Sequence, residues 1–183
     1  MRDRKPKQLD TEALWAYALK ALGARAHSMG EMREKLRRRA ARETDVPILL
    51  DRLKECGYLD DSKFAESYAA ARLTGDGFGR RRVLQDLRQR RVAPGLAQET
   101  VERVYQDTDD ERLVEEWVRR KYRMTPREAL FQTDRDLAAA YRRLVRAGFA
   151  TGPIVRVLKR FAKNPDLLDV MESPEESGDD QST

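Results

Sequence analysis

This 183-residue chain has one cysteine, one histidine and only a 7% share of aromatic residues. With Cys56 alone, an internal disulfide is excluded. Cys56 and the sole histidine, His27, are too few ligands for a Cys/His zinc site, and a His-dependent triad has little support. Cys56 ends an apolar periodicity and reads as a small packing residue. His27 precedes Ser28 and reads as a loop residue. No carboxylate pair stands beside a polarising His, Lys or metal set, so the expectation is a protein without enzyme activity, cofactor or metal. No apolar run is long enough to cross a membrane. Arg2, Arg4, Lys5 and Lys7 lead into no apolar stretch of the kind a signal peptide needs. The expected location is therefore cytoplasmic. Strand-like alternation is absent as well.

What the chain has in abundance is charge. Charged residues make up 38% of it, and mean hydropathy is −0.79. The net charge of +5 is unevenly spread. From Asp166 onward there are seven acidic residues and no Lys or Arg, which leaves 25 carboxylates against 37 bases, a net +12, on the remainder. Such a body suits a polyanion or an acidic protein surface, and equally a soluble protein with solvated arginines.

Apolar spacing predicts an all-α fold of about nine helices. They fall near 11–22, 29–39, 45–57, 61–73, 80–91 and 94–105. A seventh carries Leu113, Val114, Trp117 and Val118, and two more fall near 134–147 and 153–162. The central corner is written locally. Gly57 supplies the left-handed residue that closes one helix. Asp60 is the expected N-cap of the next, with Leu59 at N′ and Phe64 at N4 in the spacing of a hydrophobic staple. Tyr58, Phe64 and Tyr68 are accordingly expected in the core. Ser28 with Glu31, and Thr108 with Glu111, read as capping boxes.

Aligning Leu36, Leu87 and Leu144 brings Met32, Val83 and Ala140 into register four residues earlier. Leu50, Val101 and Leu158 then match fourteen residues later. This argues for three copies of one helical unit. The expected organisation is a mobile basic lead over 1–10, three-helix modules at 11–57, 58–106 and 107–163, and an acidic disordered tail over 164–183.

Two arginine clusters mark the candidate binding face. Helix two carries Arg33, Arg37, Arg38 and Arg39. The fifth helix carries Arg80, Arg81 and Arg82 in its first turn, then Arg88, Arg90 and Arg91. A helix macrodipole disfavours cations at its N-terminus, so stability does not ask for the first three. A solvated helix face is the plainer alternative. Arg72 is open between that face and pairing with Asp60 or Asp61. Gly75-x-Gly77-x-Gly79 lacks the preceding strand and the Gly-Lys-Ser/Thr ending of a phosphate loop, and reads as an elbow.

Gly57-Tyr58-Leu59-Asp60-Asp61, Phe64-Ala65, Tyr68, Arg72, Gly79 and Arg82-Val83-x-x-Asp86-Leu87 resemble the central signature of the RecX family, modulators of the RecA recombinase. Arg25-x-x-Ser28-x-x-Glu31-Met32 with Leu36 resembles that family's first-module motif. The likeness spans about residues 13–161. It departs where a glycine is expected: Arg91 stands after the fifth helix, and another is replaced around Ala40. The resemblance implies tandem three-helix modules in an elongated, curved arc. It also implies a monomeric regulator that docks in the groove of a RecA filament on single-stranded DNA. There it would suppress ATP hydrolysis and strand exchange in recombination and SOS repair, contacting DNA directly or through RecA. The alternative is a DNA-binding protein of helix-turn-helix-like modules that acts without RecA.

Overall fold

The computed structural model describes residues 8–122 and 130–172. Most of the basic lead, most of the stretch 124–132 and the chain beyond 172 lie outside the described residues.

Among the described residues ten α-helices form: α1 (Thr11–Ala24), α2 (Met29–Arg37), α3 (Asp45–Glu55), α4 (Asp61–Ala71), α5 (Arg80–Gln89), α6 (Pro94–Val104), α7 (Asp110–Tyr122), α8 (Asp134–Arg146), α9 (Thr151–Lys159) and α10 (Leu167–Glu172). A π-helical segment, Arg72–Asp76, follows α4. Among the described residues, extended pairing is limited to two isolated bridges. The fold is all-α.

Helix ends follow the local chemistry. The Asp60 carboxylate caps α4 by accepting from Lys63 N at 3.0 Å. Ser28 and Glu31 form the expected capping box of α2. After α3, Gly57 adopts φ +73°, Tyr58 N donates to Leu53 O, and Gly57 N donates to Lys54 O. That pair of bonds is a Schellman cap. The same pair closes α8 at Gly148 and closes α5 at Arg91, which takes φ +61° without being glycine. The cap of α7 is Asp109 rather than Thr108. Its carboxylate accepts from Glu111 N at 2.9 Å and Arg112 N at 3.2 Å.

The chain forms two compact units. Unit 1 comprises the chain to Thr74 with Val83–Gln106; unit 2 comprises Gly75–Arg82 with the chain from Asp107 onward. The division falls inside α5. In unit 1, Leu14, Met32, Leu36, Leu49 and Leu53 are fully buried in a core shared by α1, α2 and α3, while α4 packs on α6. In unit 2, α7, α8 and α10 all pack on α9, around Val118, Leu137, Leu144, Ile154 and Leu158.

Part of the stretch expected to be a disordered tail is helical, as α10 (Leu167–Glu172). Leu168 on α10 is fully buried. A hydrogen-bonded clip explains why the chain stays folded there. Leu9 N donates to Arg39 O, and Ala41 N donates to Leu9 O; 122 residues on, Phe131 N donates to Phe161 O, and Lys163 N donates to Phe131 O. The segment α8–α10 thus repeats the geometry of α1–α3, with α10 standing where α3 stands. That relation differs from the Leu36–Leu87–Leu144 register, because only the backbone bonds reveal it.

Candidate functional site

The two sequence motifs meet in unit 1 at one joint. The N-terminus of α2 abuts the C-terminus of α5 so closely that a Cβ on Gly30 would lie 2.4 Å from both Arg91 Cβ and Arg91 O. Ser28 Oγ donates to Arg90 O while accepting from Glu31 N at 3.0 Å. Asp61, one residue past the cap of α4, accepts from Met29 N at 2.7 Å and so serves α2 instead. Glu31 pairs with Arg25 at 2.9 Å and with Arg90 at 3.1 Å. The Arg90 and Arg72 guanidinium groups lie 4.7 and 4.8 Å from the centre of the Tyr68 ring, and Tyr68 Oη donates to buried Asp86 at 3.1 Å.

Unit 2 repeats the joint. Gly79 N donates to Ala147 O at 2.9 Å and Arg81 N to Gly148 O at 3.1 Å. A Cβ on Gly148 would lie 2.2 Å from Arg82 N. At the start of α5, Gly79 N and Arg81 N are thus satisfied by the carbonyls that follow α8, and Arg82 N by Gly79 O. This changes the reading of Arg80, Arg81 and Arg82. The negative end of α8 lies beside them, and it favours cations. Reversing all three to Glu is not structurally neutral; Gln is the cleaner substitution.

The arginines of the candidate face divide by environment. Arg37 donates to Glu43 at 2.7 Å, Arg38 pairs with Glu34 at 3.0 Å, and Arg91 approaches Glu34 at 3.7 Å. Arg39 lies over the Tyr17 ring, and Arg80 lies 3.4 Å from Asp110. Arg90 belongs to the joint. The side chains of Arg33, Arg81 and Arg88 are exposed and have no partner among the described residues.

Two other expectations are corrected. Tyr58 is 53% exposed, and Phe64 and Tyr68, stacked 6.2 Å apart, are only half-buried. All three line an open cleft of about 390 Å³ that also includes Lys63 and His27. Leu59 alone turns fully inward, so the corner lacks room for the larger rings. Cys56, the C-cap of α3, is exposed, because the helix turns it away from its apolar face. His27 is 5% exposed, with Nδ1 3.0 Å from Ala26 O and Nε2 without a partner among the described residues.

The glycine elbow cradles no phosphate. Arg120 donates to Gly75 O at 3.0 Å and to Asp76 O. The loop presents carbonyls to a cation, the opposite polarity to a phosphate nest. Among the described residues no helix is long and apolar enough to cross a membrane, and no His/Cys/Asp/Glu group could hold a metal.

Burial lowers the pKa of His27 below its ordinary value of 6.5, with the Arg25 charge adding to the effect. Burial works to raise that of Glu31, but Arg25 and Arg90 outweigh it and hold the carboxyl below 4.5. In both cases the unfolded chain binds more protons than the folded one, so stability falls as pH falls. Thermal midpoints should drop as the pH is lowered through 6.5 and again near 4.5. His27→Gln should remove the first part of that drop. A midpoint that rises on acidification would contradict these environments.

Short capped helices whose ends meet at these two joints define a helical scaffold. The family model described as RecX, second three-helix domain, matches residues 60–101. The regulatory protein RecX of Deinococcus radiodurans is 34% identical over 170 residues, covering 88% of this chain and 76% of that protein. That of Ectopseudomonas mendocina is 31% identical over 145 residues, covering 78% and 90%. The crystal structure of RecX from Lactobacillus salivarius aligns with a TM-score of 0.61 at 17% identity, covering 82% of this chain and 96% of that one. The chain belongs to the RecX family of regulatory proteins.

Proposed function

We propose that this chain regulates a RecA recombinase by binding its filament on single-stranded DNA, where it lowers ATP hydrolysis and strand exchange without catalytic activity of its own. Family membership carries the reading. The arginines support it physically. Arg33, Arg81 and Arg88 are exposed and committed to no internal partner among the described residues, so they are available to carboxylates or phosphates on a filament.

Changing these three to Gln tests the surface. The fold should hold, since exposed substitutions of this kind stay within about 0.5 kcal/mol. Affinity for RecA–DNA filaments should fall, and its salt dependence should flatten. Parallel titration of naked single-stranded DNA at the same salt separates contact with RecA from contact with DNA. Wild-type affinity in the intact triple variant would move the contact surface elsewhere.

A further inference from the structure

Unit 2 holds a cleft to which the arginine clusters of the sequence contribute only Arg82. About 420 Å³ in volume, it is lined by Phe78, Arg82, Trp117, Lys121, Arg143 and Arg146, with no carboxylate among its lining residues. A second cleft of similar size shares Phe78, Trp117 and Lys121 with it and adds Gly75, Asp76 and Arg120, whose guanidinium donates to the Gly75 and Asp76 carbonyls. The segments concerned are far apart in sequence: the elbow before α5, the last turns of α7 and the last turns of α8.

Helix dipoles account for part of this arrangement. Lys121, Arg143 and Arg146 lie at helix C-termini, where cations are favoured. They do not account for the rings. Phe78 and Trp117 are only half-buried, and Trp117 is held by edge contacts with Tyr122 and Phe149, both at 6.5 Å. Those contacts fix the indole from the side. Arg82 lies 5.9 Å from the Phe78 ring centre, and Arg143 reaches Tyr122 Oη at 3.3 Å, so the cations flank the aromatics in defined positions.

Aromatic faces bordered by cations, in a cleft whose described lining holds no carboxylate, suit one polymer best. We propose that this groove seats single-stranded nucleic acid, with a base against Phe78 and Trp117 and adjoining phosphates on Lys121, Arg143 and Arg146. Stacking is tolerant of sequence because every base has a π-face, and the phosphates supply salt-dependent affinity. An acidic peptide would use the cations but leave the rings without a planar partner. The sharing of Phe78 and Trp117 by two clefts favours a strand over an isolated anion. The proposal takes its setting from the regulatory reading above, but its test requires no RecA.

The chain has two tryptophans, so Trp15→Phe makes Trp117 the sole reporter. Titration with a short oligothymidylate at low salt should give saturable quenching of Trp117. Phe78→Leu, which keeps the apolar contact and removes the ring face, should weaken binding about tenfold with little change in salt slope. Lys121→Gln with Arg146→Gln should weaken it while lowering the slope by about one to two. Both of those residues are exposed, so this second variant decides the matter even if Phe78→Leu fails to fold. Absence of quenching by the oligonucleotide would overturn the proposal. So would equal quenching by an oligoglutamate, or an unaltered affinity and slope in the Lys121/Arg146 variant. If the protein still lowers RecA's ATP turnover under those conditions, only the seat is lost and the regulatory reading stands.

Discussion

Gly148→Ala is expected to destabilise unit 2 by roughly 2–5 kcal/mol. Two costs combine there. The residue sits at φ +89°, where a side chain is strained by about 1–2 kcal/mol. The new methyl would also meet Arg82 N at 2.2 Å and Arg82 Cβ at 2.4 Å, and overpacking against backbone costs about 1–3 kcal/mol. Gly57→Ala isolates the first cost, since φ is +73° but nothing lies within 4 Å of the added atom. It should lose only about 1–2 kcal/mol. Gly23→Ala carries neither cost, and near the end of α1 it should be neutral or stabilising by up to about 1 kcal/mol. Chemical denaturation of the three variants gives the ranking. Gly148→Ala matching Gly57→Ala would show that α5 and α8 do not meet as described.

Leu36→Ala, Leu87→Ala and Leu144→Ala should each cost about 2–5 kcal/mol, because each removes a side chain with no exposed surface from a small core. These leucines hold equivalent places in the sequence repeat, and similar penalties would support three copies of one helical unit. Denaturation midpoints at matched slopes measure them. A penalty under about 1 kcal/mol at any one position would remove that position from the repeat.

The helices and most of their caps were legible in the sequence because they are local. Asp60 before α4, Ser28 with Glu31 and the glycines at 57 and 148 each act within a few residues of where they stand. The left-handed Arg91 was legible only as a departure. Thr108 was preferred over Asp109 because the box pattern outweighed the better acceptor one residue later. The joints were not legible. Asp61 caps a helix 32 residues earlier, and Ser28 bonds to a carbonyl 62 residues later; neither spacing has a periodic signal. The Arg81 amide looked bare because its acceptor, Gly148 O, follows α8, 67 residues later. Periodicity also misplaced Tyr58 and Cys56, since a position near a helix end turns outward without breaking the pattern. The groove at Phe78 and Trp117 escaped notice for a related reason: its cations come from three segments, of which only the run Arg80–Arg82 was singled out.

The central claim is that this chain acts on a RecA recombinase and performs no chemistry. RecA's single-strand-dependent ATP hydrolysis, titrated with the purified protein, tests it most directly. The account predicts that the rate falls as the protein approaches stoichiometric amounts, and that the protein alone hydrolyses no ATP. A RecA rate unchanged at stoichiometric protein, or ATP hydrolysis by the protein itself, would contradict it.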